Sequence, residues 1–337
     1  MGDILIKGEL GWVYLQDASE SYAALKSLKL CSNSLHQSTS HTFASLVMPQ
    51  LRSLTMTGFC LAAVSESPPH VLPWFQLERL VLDNSNFIPR YVKLCTNLRI
   101  LEINLDLDAG HTGTSTPVVH NGIHTLKLLL EGLEDSDEAA WLEAFERDIN
   151  PLSLPGLNSL HIEANSDYPP TRWPAVPMFD LLEKSCCKID LTVLSFIDVY
   201  ISNVELISFL HNTPSVEGLT VCDHSFHDYI EPNASAFPVT PTFISRLHAF
   251  WEDHTYRRPL TSFLPNLRRL SLRSRMNFEE HTFVEMVTSR WISPDSMPHT
   301  KLDAGVVCLR RVEVHVGHEI FQGRVFGTKV DPRNSAH

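Results

Sequence analysis

At 337 residues, with 43% hydrophobic and 20% charged residues, the chain is long enough to bury a continuous core. Its formal net charge of −12 argues against a general role in neutralising nucleic-acid phosphates, which calls for a basic excess. No run approaches the roughly 18 to 20 apolar residues of a membrane span.

The first 24 residues carry Asp3, Glu9 and Asp17 instead of a basic start followed by an apolar stretch, and read as an N-terminal cap rather than a secretory leader. Ile6 stands where a myristoylation signal needs Ser or Thr. A cytoplasmic or nuclear location is expected. From Leu25 the chain reads Leu-Lys-Ser-Leu-Lys-Leu-Cys-Ser-Asn-Ser-Leu, which fits the leucine-rich-repeat consensus LxxLxLxxNxL at every defined position. Its LxxLxL core recurs in ten windows, beginning at Leu25, Leu51, Leu77, Leu98, Ile123, Leu157, Leu191, Val216, Leu267 and Leu309. The starts lie 26, 26, 21, 25, 34, 34, 25, 51 and 42 residues apart, against a usual repeat of roughly 20 to 29. The last two intervals fit either a degenerate extra unit or a large insertion.

In an extended strand the second and third apolar residues of each window share one face and their neighbours share the other. The outward set includes Ser27 and Lys29, Ser53 and Thr55, Arg79 and Val81, Glu102, Thr125 and Lys127, Ser159 and His161, Arg269 and Ser271, and Arg311 and Glu313. Most are polar, which decides against a doubly wound sheet covered on both faces. The fold expected is α/β: a leucine-rich-repeat solenoid, or horseshoe, with a curved parallel sheet on its concave side and helices or loops on its convex side. The repeat domain is expected over residues 25–317, with about ten units, followed by a tail at 318–337.

Helical patterns fall between the windows. Asp135-Ser-Asp-Glu138 reads as a helix start leading into Ala139 to Phe145. Further helices are predicted over 176–187, 203–211, 243–256 and 278–291, each with apolar residues at spacings of three and four. The Pro-rich stretches at 167–177 and 227–241 read as loops within one array, since windows resume beyond both.

Chemistry-bearing motifs are sparse. No Gly-x-Ser-x-Gly elbow, phosphate loop, Gly-x-Gly-x-x-Gly or His-Glu-x-x-His occurs, so no enzymatic activity and no cofactor are expected. Seven dispersed cysteines suit a reducing compartment, and the Asn233-Ala-Ser235 sequon has no secretory context. Cys222-Asp223-His224-Ser-Phe-His227-Asp228 is the densest set of possible zinc ligands, but without a second ligand cluster it reads as a solvated polar turn and no metal site is expected. The acidic group Glu131, Glu134, Asp135, Asp137 and Glu138 reads as a solvated helix start or a docking patch for a basic partner. Arg257, Arg258, Arg268, Arg269, Arg273, Arg275, Arg310 and Arg311 make the densest positive region of an acidic chain. Among them Arg269, Arg273 and Arg311 fall at outward strand positions, where guanidinium groups suit carboxylate or phosphate; the alternative is surface arginines paired with Glu279, Glu280 and Glu313.

Leu-Pro-Asn-Leu-Arg-Arg-Leu-Ser-Leu at 264–272, Leu-Pro-Gly-Leu-Asn-Ser-Leu-His-Ile at 154–162 and Met-Pro-Gln-Leu-Arg-Ser-Leu-Thr-Met at 48–56 share one cadence. It resembles the irregular repeat regions of fungal F-box/leucine-rich-repeat proteins, especially the large basidiomycete families, over roughly residues 20 to 317. In that family the repeats recognise a substrate, and an N-terminal F-box docks the Skp adaptor of a cullin ubiquitin ligase. The 24 residues before Leu25 lack the family's Leu-Pro-x-Glu-type opening, so Skp-adaptor binding is not expected. What the resemblance implies is a substrate-recognition or adaptor module, and the outward arginines point to a protein partner, acidic or phosphorylated, on the concave face. The candidate contacts there are Arg269, Arg273, Arg311, Glu102, His161 and Lys127, with no nucleic acid and no membrane. The competing expectation is an enzyme or small-ligand sensor with a site in the irregular 216–267 region.

Overall fold

In the computed structural model, residues 3–8, 24–32, 48–57, 72–83, 88–105, 116–130, 138–165, 173–223, 237–249, 263–274, 278–291 and 306–316 are described. The chain forms two compact units. The first comprises Met1–Leu157 with Val176–Cys187, the second Asn158–Ala175 with Lys188–His337.

The first unit carries six parallel strands: β1 (Asp3–Gly8), β2 (Ser27–Ser32), β3 (Ser53–Thr57), β4 (Arg79–Asp83), β5 (Ile100–Leu105) and β7 (Thr125–Leu130), each paired with the next in that order. A separate parallel pair joins β6 (Val118–Val119) to β8 (Leu152–Ser153). Its helices are α1 (Ile88–Leu94), α2 (Glu138–Asp148) and, from Val176 onward, α3 (Ala175–Ser185).

The second unit repeats the plan with β9 (Ser159–Ala164), β10 (Val193–Ile197), β11 (Gly218–Cys222), β12 (Arg269–Ser274) and β13 (Arg311–Val316), again parallel and paired in chain order. Its helices are α4 (Asn203–His211), α5 (Pro241–Arg246) and α6 (Glu280–Trp291).

Every LxxLxL window coincides with a strand that starts two residues after the window's first apolar residue. Because β11 pairs directly with β12, and β12 with β13, the intervals of 51 and 42 residues are insertions carrying α5 and α6, with no further strand of the ladder between. β1 lies in the segment read as a cap. In its register on β2, Ile4 aligns with Leu28 and Ile6 with Leu30.

The repeat shows in the backbone itself. At each ladder step two consecutive amides donate to one carbonyl of the preceding turn. Arg52 and Ser53 share the Lys26 carbonyl, Glu78 and Arg79 that of Arg52, and Arg99 and Ile100 that of Glu78. Glu217 and Gly218 in the second unit share the Thr192 carbonyl, and Arg268 and Arg269 that of Glu217. Before the strand the chain makes a tight turn in which the window's first apolar residue donates back three positions, as Leu51 does to Met48, Leu98 to Cys95, Leu157 to Leu154 and Leu267 to Leu264. Proline at the second position of such a turn presets its φ. The Met-Pro-Gln-Leu, Leu-Pro-Gly-Leu and Leu-Pro-Asn-Leu cadence is the signature of that turn.

Strand alternation puts one face inside. Leu28, Leu54, Leu80, Leu101 and Leu126 lie side by side along the first unit, and none is more than 3% exposed. The second unit stacks Leu160, Leu194, Leu219 and Leu270 in the same way. Helices cover this buried side: Phe196 of β10 meets Phe209 of α4 edge-on at 5.8 Å, and Trp173 packs against both rings at 5.3 and 5.2 Å. The helix expected over 203–211 is Asn203–His211, begun by a capping box in which the Ser202 hydroxyl accepts from the Glu205 amide and the Glu205 carboxylate accepts from the Ser202 amide.

Other expected boundaries shift. The 243–256 helix is the shorter Pro241–Arg246, started by Thr240 as N-cap with Pro241 in the first turn; residues 250–256 lie outside the described set. The 278–291 helix starts at Glu280 and the 176–187 helix ends at Ser185, followed by Cys186 at φ 53°. The predicted start at 135–137 is outside the described residues, and that helix runs from Glu138.

Candidate functional site

Two faces of each unit are possible sites, and their chemistry differs. The inward side is closed by apolar packing. The outward side is a ladder of polar positions in which parallel register makes each row one residue wide per strand, about 4.8 Å apart.

In the first unit the central outward charge is Glu102 on β5. It lies between Arg79 of β4 and Lys127 of β7, with Oε2 2.9 Å from Arg79 Nη2 and Oε1 2.9 Å from Lys127 Nζ. Burial would push this carboxyl up, but the two cations outweigh it and hold Glu102 below its ordinary value. Beside it the Asn104 amide donates to Asp83 Oδ1 at 2.7 Å. Glu102 and Lys127, both expected partner contacts, are therefore engaged with each other and with Arg79.

In the second unit the rows read Ser159, Val193, Gly218, Arg269 and Arg311, then His161, Ser195, Thr220, Ser271 and Glu313, then Glu163, Ile197, Cys222, Arg273 and His315. Two strands, β10 and β11, separate His161 on β9 from the arginines of β12, so the expected set is not one cluster. His161 Nε2 is 2.8 Å from the Ser159 hydroxyl. Arg311 donates through Nε, at 2.8 Å, and through Nη2 to Glu313 Oε1, two residues along its own strand. The exposed side chains of Arg269 and Arg273 make no hydrogen bond or ion pair among the described residues. The Arg269 guanidinium lies across Gly218 of β11, where a Cβ would sit 3.3 Å from Nη2 and 3.4 Å from Nε.

The segment read as a possible zinc site divides. His224, His227 and Asp228 lie outside the described residues. Asp223 accepts from the Ser274 hydroxyl at 2.6 Å and from the Val239 amide at 3.3 Å, which ties the end of β11 to β12 and to the start of the α5 segment. Burial, with Asp198, Asp223 and Glu163 adding to it and Arg273 opposing, pushes the Cys222 thiol up to about 11. These two residues act structurally, and no group of three or more His, Cys, Asp or Glu side chains suited to a metal is found among the described residues. Within the 216–267 region, where the competing expectation placed an enzyme or small-ligand site, residues 224–236 and 250–262 also lie outside them.

Charges that sequence reading passed over are buried ones. Arg290 of α6 is 2% exposed and donates through Nε to the Leu247 carbonyl, through Nη1 to that of Leu264 at 3.0 Å, and through Nη2 to that of Phe263. Burial brings its pKa down to about 10. Asp148, 2% exposed at the end of α2, pairs with Arg147 at 2.6 Å; burial nevertheless raises its carboxyl above the ordinary value. His120 Nδ1 accepts from the Gly122 amide at 3.2 Å, which leaves Nε2 to donate to the Cys95 carbonyl at 2.7 Å. All three serve packing.

No helix among the described residues is long and apolar enough to cross a membrane. No protein-family model matches the chain, and no curated protein matches it significantly.

Proposed function

We propose that the chain is a non-catalytic protein-binding scaffold: a leucine-rich-repeat solenoid of horseshoe type, working as a substrate-recognition or adaptor module of the kind found in F-box/leucine-rich-repeat proteins. The observation that carries this reading is the one-sided burial of the parallel strands. Their inward residues form unbroken apolar rows, while Lys29, Arg79, Lys127, Arg269 and Arg273 on the other face are exposed. Stacked repeats build extended surfaces of this type, and outward side chains can vary without disturbing the core. A cytoplasmic or nuclear site of action goes with the same reading.

Photocrosslinking tests it. p-Benzoylphenylalanine placed at Thr55 or Ser271, both outward strand positions, should crosslink partner polypeptides in cells, whereas the same group at Glu143 or Val204 on exposed helix surfaces should not. Crosslinks confined to the helix positions, or absent from Thr55 and Ser271, would reject the sheet face as the binding surface. A purified 337-residue chain is not expected to capture the Skp adaptor; one-to-one capture from pure components would require a docking surface other than an F-box.

A further inference from the structure

Part of the outward charge is compensated within the sheet face and part is not. In the first unit Arg79 and Lys127 are both spent on Glu102, and Arg52 lies 3.6 Å from Glu78. In the second unit Arg311 is held by Glu313, and Arg268 lies 3.7 Å from Glu217. Arg269 and Arg273 are two outward arginines of one strand, β12, whose side chains have no hydrogen-bond or ion-pair partner among the described residues. We propose that these two side chains bind an extended acidic segment of a partner protein carrying two carboxylates four residues apart, each gripped by one guanidinium. This rests on the sheet face being the partner surface, and names the partner's chemistry.

The spacing follows from the strand. Arg269 and Arg273 lie on one face of β12, four residues and so about 13 Å apart. An extended peptide lying along the strand has the same rise, so its side chains at i and i+4 fall opposite the two arginines. At that separation the pair cannot converge on one anion. A planar guanidinium matches one carboxylate with two parallel hydrogen bonds, whereas a phosphate dianion calls for more cationic charge than either arginine supplies alone, so carboxylates fit better.

Gly218 positions one of the two. Because it has no side chain, the Arg269 guanidinium can lie flat over β11, with its stem restrained before any ligand arrives. Neighbouring acids set the borders of the patch. Glu313 lies one strand away on β13 and is matched by Arg311, and Glu163 lies three strands away on β9, where it would repel an acidic chain. The segment is therefore confined to β11 and β12.

The test uses the purified chain and fluorescein-labelled ten-residue peptides of Ser, Thr and Val with two Glu residues at positions 4 and 8, at 4 and 6, or with one Glu only. The 4,8 peptide should bind best, the 4,6 peptide no better than the single-Glu peptide, and binding should weaken steeply with salt. Arg273→Gln and Arg269→Gln should each weaken the 4,8 peptide about tenfold or more while leaving the thermal midpoint unchanged. Should Arg269→Gln disturb packing over Gly218, Arg273→Gln alone carries the comparison. Equal binding of all three peptides, no binding, unchanged binding by Arg273→Gln, or binding only of phosphoserine versions would each overturn the proposal. Persistent crosslinking at Ser271 would then leave the broader scaffold reading standing, and its loss would remove both.

Discussion

Arg290 illustrates how a single buried charge can hold an irregular region together. Its three guanidinium nitrogens are matched to three main-chain carbonyls, two of them on the segment that leads into β12, and its own carbonyl accepts from the Leu309 amide ahead of β13. Arg290→Met would fill similar space but leave the carbonyls of Leu247 and Phe263 without the guanidinium in a dry site, and that of Leu264 with the Leu267 amide alone. Buried groups stripped of their partners cost about 1 to 3 kcal/mol each, so urea unfolding should show a loss of at least about 2 kcal/mol. Arg290→Lys should recover little, since a single ammonium cannot reproduce the planar fork; a loss below about 1 kcal/mol in either variant would mean that water replaces the guanidinium. Glu102 acts in the opposite setting, half-covered at the surface. Its folded pKa lies below the ordinary 4.5, so its contribution to stability is present above the unfolded value and is lost as pH falls through the lowered folded one. Glu102→Gln should therefore flatten the acid limb of a stability profile from the ordinary value of 4.5 downward, and an unchanged limb would show that the Arg79–Glu102–Lys127 arrangement does not persist in solution.

At the scale of elements, the turn before each strand matters as much as the strand. Gly156 closes the Leu154-Pro155-Gly156-Leu157 turn where it passes the preceding turn, and a Cβ there would sit 2.2 Å from the Asn121 carbonyl oxygen. Since the obstruction is backbone, it cannot be relieved by a rotamer change. Gly156→Ala should destabilise by about 1 to 3 kcal/mol through forced displacement of one turn against the other, read as a lowered urea midpoint with an unchanged slope. Gly122→Ala, whose Cβ would meet the Leu98 carbonyl oxygen at 3.0 Å and the movable His120 ring at 3.2 Å, should cost less. The order of the two variants tests the geometry. Side-chain links between turns reinforce the same junctions: the Asn97 amide donates to the Phe75 carbonyl and the Asn266 amide to that of Pro214, each from the residue before its window to the residue two before the preceding window.

For the molecule as a whole, the consequence of repetition is that each core residue serves two neighbours. Leu80 on β4 is fully buried between Leu54 on β3 and Leu101 on β5. Leu80→Ala should cost roughly 2 to 5 kcal/mol by transfer and cavity terms, measured by chemical unfolding. A loss under about 1 kcal/mol would mean that the inward row is not close-packed there. Because the rows are built from one-residue steps, charge on the outward face can be rewritten without touching this core, and the arginine substitutions proposed on β12 should accordingly leave stability nearly unchanged.

What the sequence by itself determined was the strand ladder. LxxLxL is a local pattern, and period-two alternation forces one face of each segment inward wherever the segment lies, so all ten windows emerged as parallel strands with their leucines buried. β1 lies in the segment read as a cap and was not among the windows. Only the tertiary structure decided which outward charges are free. Arg269, Arg273 and Arg311 look alike in sequence, yet Arg311 is held by Glu313, Arg269 lies over Gly218, and Glu102 with Lys127 is closed into an ion pair, because such pairings depend on register between strands and on rotamers. The buried role of Arg290 and the division into insertions after Val216 and Leu267 likewise depend on contacts between residues far apart in the chain, which no local periodicity encodes.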